Sequence, residues 1–166
     1  MAETLHLSAN ATKGQRFTEI IPQIESVVVA ETDLIANLAN VAAILREAFG
    51  HFWIGFYLRK GNDLVLGPFQ GPLACTRIPV EPKPRGVCGD AAAQQKTIIV
   101  PDVDAYPGHI ACSSISKSEI VVPLVVDQRT ELVLDVDSAE LSTFDEEDAQ
   151  GYEAVIRIIQ KHHFAS

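Results

Sequence analysis

Apolar residues recur at helical spacing near both ends of the chain and crowd into short runs between them. Ile20, Ile21, Ile24, Val27 and Val28 share one helical face. They predict a helix over Arg16–Val29, with Pro22 either bending it or marking its start. Leu34, Leu38, Val41, Leu45 and Ala48 form a stronger stripe over Asp33–Ala48, capped by Thr32 and stopped at Gly50. Toward the C-terminus Tyr152, Val155, Ile156 and Ile159 repeat the pattern. This predicts a last helix over Phe144–His162, opened by the capping box Thr143-x-x-Glu146.

The middle of the chain reads as strands. Trp53–Lys60 is aromatic and aliphatic, Gly61-Asn62 is a turn signal, and Asp63–Leu66 returns antiparallel. Thr76–Pro79 is short and extended, and the prolines and glycine of Val80–Gly86 make a loop. A short helix follows over Asp90–Gln95, then a strand over Thr97–Val100. Pro101–Lys117 has little periodicity and predicts a long loop. Glu119–Val126 and Glu131–Asp137 are expected to pair around Asp127–Thr130.

This order predicts an α+β fold: a central antiparallel sheet with helices on one face and a ligand pocket on the other, under the long loops. Residues 1–13 are polar and are expected to form a flexible arm, with 14–163 a single domain. A length of 166 residues fits one domain with one sizeable core.

The formal net charge of −9 argues against a nucleic-acid partner, since an acidic chain repels phosphate. Neither a basic cluster for a membrane surface nor an apolar run of spanning length is present. Met1–Gly14 does not read as a secretion signal. Three cysteines are an odd number and too few for a disulfide scaffold. Together these point to a reducing, cytoplasmic setting, where disulfide chemistry is catalytic or transient.

Three groups of residues could carry chemistry. Cys75, Cys88 and Cys112 fall in or beside predicted loops. Gly86-Val-Cys88-Gly leads into a short helix, whose N-terminus favours a thiolate. Spacings of 12 and 23 intervening residues fit no zinc pattern, so no metal is expected. Asp135 and Asp137 alternate along a strand and face one side, with Glu119 opening the neighbouring strand. Like charges so placed must be solvated, metal-bound, cation-paired or partly protonated. Trp53, Gly55 and Tyr57 share a strand face, either as core or as the ring-lined wall of a pocket for a small methylated ligand. His109, close to Cys112, reads as a loop residue. There is no Ser-His-Asp set, P-loop or dinucleotide fingerprint.

Six segments taken in order are distinctive: Trp53-Ile-Gly-Phe-Tyr57, Gly67-Pro-Phe-Gln-Gly-Pro-Leu-Ala-Cys75, Arg85-Gly-Val-Cys88-Gly, Gly108-His-Ile-Ala-Cys112, Ser118-Glu-Ile-Val-Val-Pro123 and Leu134-Asp-Val-Asp-Ser138. Over about Arg16–Gln160 the chain resembles the free methionine-(R)-sulfoxide reductases, small GAF-domain enzymes that reduce the R epimer of free methionine sulfoxide. The resemblance implies a GAF fold and a cytoplasmic enzyme, often a homodimer. It implies no bound cofactor, and re-reduction by thioredoxin or a thioredoxin-like protein, ultimately from NADPH. It places Cys112 as the nucleophile on the sulfoxide sulfur, Cys75 as its disulfide partner and Cys88 as a backup resolver or relay. Glu119, Asp135 and Asp137 match the family's carboxylate cluster, and Trp53 its aromatic wall, with Tyr57 nearby. The chain departs from the pattern in a longer run at Val80–Pro84 and in Leu132, where many members carry glycine. A non-catalytic ligand-binding GAF module, a generic thiol oxidoreductase and a metal hydrolase on Asp135 and Asp137 are the competing readings.

Overall fold

The computed structural model describes residues 4–110 and 113–165. Two helices come first, α1 (Lys13–Ala30) and α2 (Leu34–Phe49). Strands β1 (Trp53–Lys60), β2 (Asp63–Gln70) and β3 (Arg77–Pro79) follow, then helix α3 (Gly86–Gln94) and strand β4 (Ile98–Val100). A 3-10 turn at Val103–Ala105 interrupts the long loop before β5 (Ser118–Val126), β6 (Arg129–Ser138) and helix α4 (Glu146–His163). The strands form one sheet in the order β3-β2-β1-β6-β5-β4, every pair antiparallel. The α+β reading of the pattern therefore stands.

Strand alternation sorts the core into two layers. Ile54, Phe56, Ile120, Leu132, Leu134 and Val136 point to the face covered by α1, α2 and α4. Their neighbours Trp53, Tyr57, Val121 and Val133 point to the other, where α3 lies beside the long loops. A one-residue shift of β6 would swap these sets, so burial of both faces fixes the register.

Helix boundaries differ from the pattern where a cap outranks a stripe. α1 starts at Lys13, three residues early, because Thr12 and Gln15 form a capping box. Residues before it run alongside: the His6 and Ser8 amides donate to the Gln23 and Glu19 side chains at 2.9 Å, and Leu5 and Leu7 pack on the core. Asp33, not Thr32, caps α2, its carboxylate accepting from the Ala36 amide. The box that opens α4 is Asp145 with Asp148, two residues beyond Thr143 and Glu146. Lys13 then ties α1 to this cap through Asp145 and Asp148 at 2.9 and 2.5 Å.

Two strands outrun their expected ends. β2 continues through Gly67-Pro68 to Gln70 because a bulge opposite β1, between Gly55 and Tyr57, absorbs these turn-forming residues. β6 begins at Arg129 because Asp127 and Gln128 alone make the turn, both at positive φ as a two-residue hairpin requires. No helix among the described residues is long and apolar enough to cross a membrane.

Candidate functional site

The middle of the sheet builds the site by register. Trp53 on β1 lies opposite Asp137 on β6, and Asp137 lies opposite Glu119 on β5. One row along, Gly55 faces Asp135, which faces Val121. Since side chains alternate, Trp53, Tyr57, Asp135, Asp137 and Glu119 all project from the face away from the long helices. They line one pocket, closed from above by Cys88 on α3 and by His109 and Ser116 from the long loop.

The aromatic wall is held from both sides. The Trp53 ring stacks on Tyr57 at 5.9 Å and on Phe69 at 5.4 Å between centroids. Gly55 permits this: a Cβ there would come within 2.4 Å of Phe69 Cβ and 2.6 Å of the Trp53 ring. Trp53 Nε1 donates to the Pro72 carbonyl and the Tyr57 hydroxyl to the Cys75 carbonyl, each at 3.1 Å. The wall thus also anchors the connection that carries Cys75.

The acids are the least ordinary feature. Glu119 and Asp135 are each 6 % exposed, and Asp135 Oδ1 has no hydrogen-bond partner among the described residues. Burial, then repulsion from Asp135 and Asp137, pushes Glu119 well above the usual carboxylate range. Burial and repulsion from Asp137 do the same to Asp135. Asp137 is pushed by burial only to about 6, because the Ser116 hydroxyl donates to it at 2.5 Å and favours its charged form. Of the three acids, Asp137 is therefore the one whose charged form the pocket favours most, while Glu119 and Asp135 are biased toward the protonated form. His109 Nε2 stands 3.8 Å from Glu119 Oε2. Burial lowers the imidazole pKa and raises that of the carboxyl, so both shifts work against an ion pair here.

The cysteines divide. α3 starts at Gly86 rather than Asp90, so Cys88 sits inside its first turn and not in a loop. Its two glycines hid the helix from the periodicity. Gly89 is needed where the helix crosses Pro79, whose carbonyl oxygen would meet a Cβ at 2.7 Å. Nor does the helix N-terminus make Cys88 a thiolate. Burial, then the charges of Asp135 and Glu119, push its thiol well above the ordinary value. It is a free thiol, with Sγ 3.9 Å from Glu119 Oε1. Cys75 is disulfide-bonded. Cys112 lies outside the described residues.

Sequence reading placed the three acids, the two rings and Cys88 as candidates, and the fold brings all six into one cavity. It passed over Ser116, and it read His109 as a plain loop residue. Neither stands in a periodic segment, and only the chain's return over the sheet gives them meaning. Cys88 Sγ and one carboxylate oxygen each of Glu119 and Asp135 lie within 4.8 Å of one another, so these residues could share a cation although their sequence spacing fits no metal motif.

Residues 31–158 match the family model of the GAF domain. The chain is 52% identical over 160 residues to GAF domain-containing protein A of Dictyostelium discoideum, covering 96% of this chain and 99% of that one. It is 42% identical over 150 residues to the free methionine-R-sulfoxide reductase of Escherichia coli, covering 90% and 89%. The X-ray structure of free methionine-R-sulfoxide reductase from Neisseria meningitidis, in complex with its substrate, superposes with a TM-score of 0.90 at 56% identity, over 96% of this chain and 94% of that one.

Proposed function

The chain belongs to the GAF-domain family and, within it, to the free methionine-(R)-sulfoxide reductases, and on that premise we propose that it reduces free L-methionine-(R)-sulfoxide to methionine in the cytoplasm. The observation that carries this reading is a pocket that gathers three acids, Glu119 and Asp135 buried and Asp137 hydrogen-bonded by Ser116, beside an aromatic wall. A zwitterionic sulfoxide needs a partner for its ammonium, a proton for its oxygen and a surface for its methyl group. Asp137, ionised at neutral pH, serves the ammonium. Glu119 and Asp135, held protonated by burial, serve as proton donors to the S–O oxygen. Trp53 and Tyr57 receive the methyl group.

The sulfur chemistry follows from the family pattern. The Cys112 thiolate attacks the sulfoxide sulfur while a pocket acid protonates its oxygen. The oxygen passes to Cys112, giving a sulfenic acid and free methionine. Cys75 condenses with the sulfenic acid, releasing water and leaving a disulfide. An external dithiol of the thioredoxin type reduces it and is itself oxidised. That Cys75 is disulfide-bonded while Cys88 is a free, buried, protonated thiol supports Cys75 as the resolving residue and Cys88 as a reserve. The enzyme needs no bound cofactor in this cycle, and we expect it to work as a homodimer.

The test is a coupled assay with thioredoxin, its reductase and NADPH. Its substrates are the free R epimer, the free S epimer and an N-acetylated, amide-capped R-sulfoxide. NADPH loss with the free R epimer alone is expected, and Cys112→Ser abolishes it. Equal turnover of the capped compound would overturn ammonium recognition. No turnover with any of them, with dithiothreitol replacing thioredoxin, would overturn the activity and favour a ligand-binding module.

A further inference from the structure

We propose that Cys88, Glu119 and Asp135 form a reversible site for a thiophilic divalent cation of the zinc type, and that its occupation closes the pocket to substrate. The placement stands on the pocket's geometry; the competition with substrate rests on the function proposed above.

Three observations converge. One sulfur and two carboxylate oxygens lie within 4.8 Å of one another, all on buried residues. The Cys88 Sγ to Glu119 Oε1 separation is 3.9 Å. A tetrahedral zinc site has a sulfur–oxygen edge of about 3.5 Å, so these two donors need only a small approach. Asp135 Oδ1 is buried with no hydrogen-bond partner among the described residues. A buried acceptor left without a partner is costly, and a cation would satisfy it.

The donor set selects the ion. Magnesium and calcium prefer all-oxygen shells with several waters, whereas a buried thiolate with two carboxylates suits zinc or cobalt(II). On binding, the thiol loses its proton to solvent as the metal–sulfur bond forms, with no change in oxidation state. His109 faces the same glutamate and offers a nitrogen for the fourth position, which substrate or water otherwise takes. All three ligands stand on rigid elements, α3, β5 and β6, so the site is preformed on the scaffold.

Cobalt(II) chloride is the probe, titrated into the protein in chelator-free buffer without added thiol. The expected result is a thiolate-to-cobalt charge-transfer band in the near ultraviolet, saturating at one ion per chain and displaced by zinc. The band persists in Cys75→Ser/Cys112→Ser, where Cys88 is the only cysteine left, and disappears when Cys88→Ser is added. Asp135→Asn, checked for folding by circular dichroism, keeps a band but weakens cobalt binding at least ~tenfold. Absence of the band, or its survival in Cys88→Ser, overturns the site. Free methionine-R-sulfoxide is expected to displace the cobalt. A band that forms normally and resists sulfoxide supports the metal site and overturns the placement of substrate in this pocket.

Discussion

Ser116 and Asp137 are joined by a 2.5 Å hydrogen bond that ties the loop before β5 to the centre of the sheet. The bond also sets the charge in the pocket. Burial raises Asp137, and the Ser116 hydroxyl opposes that rise, leaving its pKa at about 6. Removing the hydroxyl removes the opposing effect. Ser116→Ala should move the acidic limb of the pH–kcat/KM profile to higher pH by roughly one to two units, in line with ~1.5–3 kcal/mol for a hydrogen bond to a charged group. Ser116→Thr keeps the donor and should leave the limb in place. An unmoved limb in the alanine variant would show that Asp137 does not control activity.

Folding should be stabilised by removing the buried acids above neutrality. Glu119 and Asp135 have pKa values raised in the folded state, so the folded chain holds protons that the unfolded chain releases. Stability is therefore undiminished below the unfolded carboxyl values near ~4 and falls as pH climbs from there toward the raised folded values. Glu119→Gln and Asp135→Asn should raise Tm at pH 8 and change it little at pH 4. Each kcal/mol recovered corresponds to roughly 2–4 °C in a domain of this size. Thermal melts at the two pH values check this, and an equal effect at both would remove the linkage.

Cys88 should be chemically quiet in the folded chain. It is 3 % exposed, and burial holds its thiol protonated. Since the thiolate is the reactive form, native alkylation by iodoacetamide at pH 7.5 should be at least ~100-fold slower at Cys88 than in urea-unfolded protein. Peptide mass spectrometry over a time course gives both rates. Rapid native labelling would mean that the thiol is ionised or reachable.

Gly55 is a spacing residue for the aromatic wall. A methyl group there would overlap both Phe69 and the Trp53 ring. Gly55→Ala should lower stability by about 1–3 kcal/mol, as overpacking does, and should raise KM more than it lowers kcat because the wall is displaced and the thiols are not. Urea denaturation and steady-state kinetics measure the two effects separately.

Much of this arrangement was legible in the chain because strands encode their faces. Asp135 and Asp137, two apart, had to share a side, and Ile54 and Phe56 had to oppose Trp53 and Tyr57. What was not legible depended on contacts between distant segments. The pattern places the last helix at Phe144, yet Asp145, held by Lys13 from the other end of the chain, starts it later. Residue type alone marks Cys88 as a candidate, but its environment is set by segments far along the chain. A helix N-terminus favours an acidic thiol, but burial under the folded sheet dominates instead, reinforced by two carboxyls from strands more than thirty residues downstream. Ser116 gave no local signal, since a serine in an aperiodic loop is indistinguishable from any other until the loop is folded over Asp137.

The position of β6 between β1 and β5 pairs the backbone of Asp135 and Asp137 with a strand on either side. Amides paired on both sides within a sheet exchange with solvent only through the rarest openings, close to global unfolding. The Asp135 and Asp137 backbone should thus belong to the slowest-exchanging set, whereas Cys75 sits on a connection outside the strands. Under the cycle proposed above, the Cys75 connection changes its bonding at every turnover while the strand backbone beneath Asp135 and Asp137 stays closed.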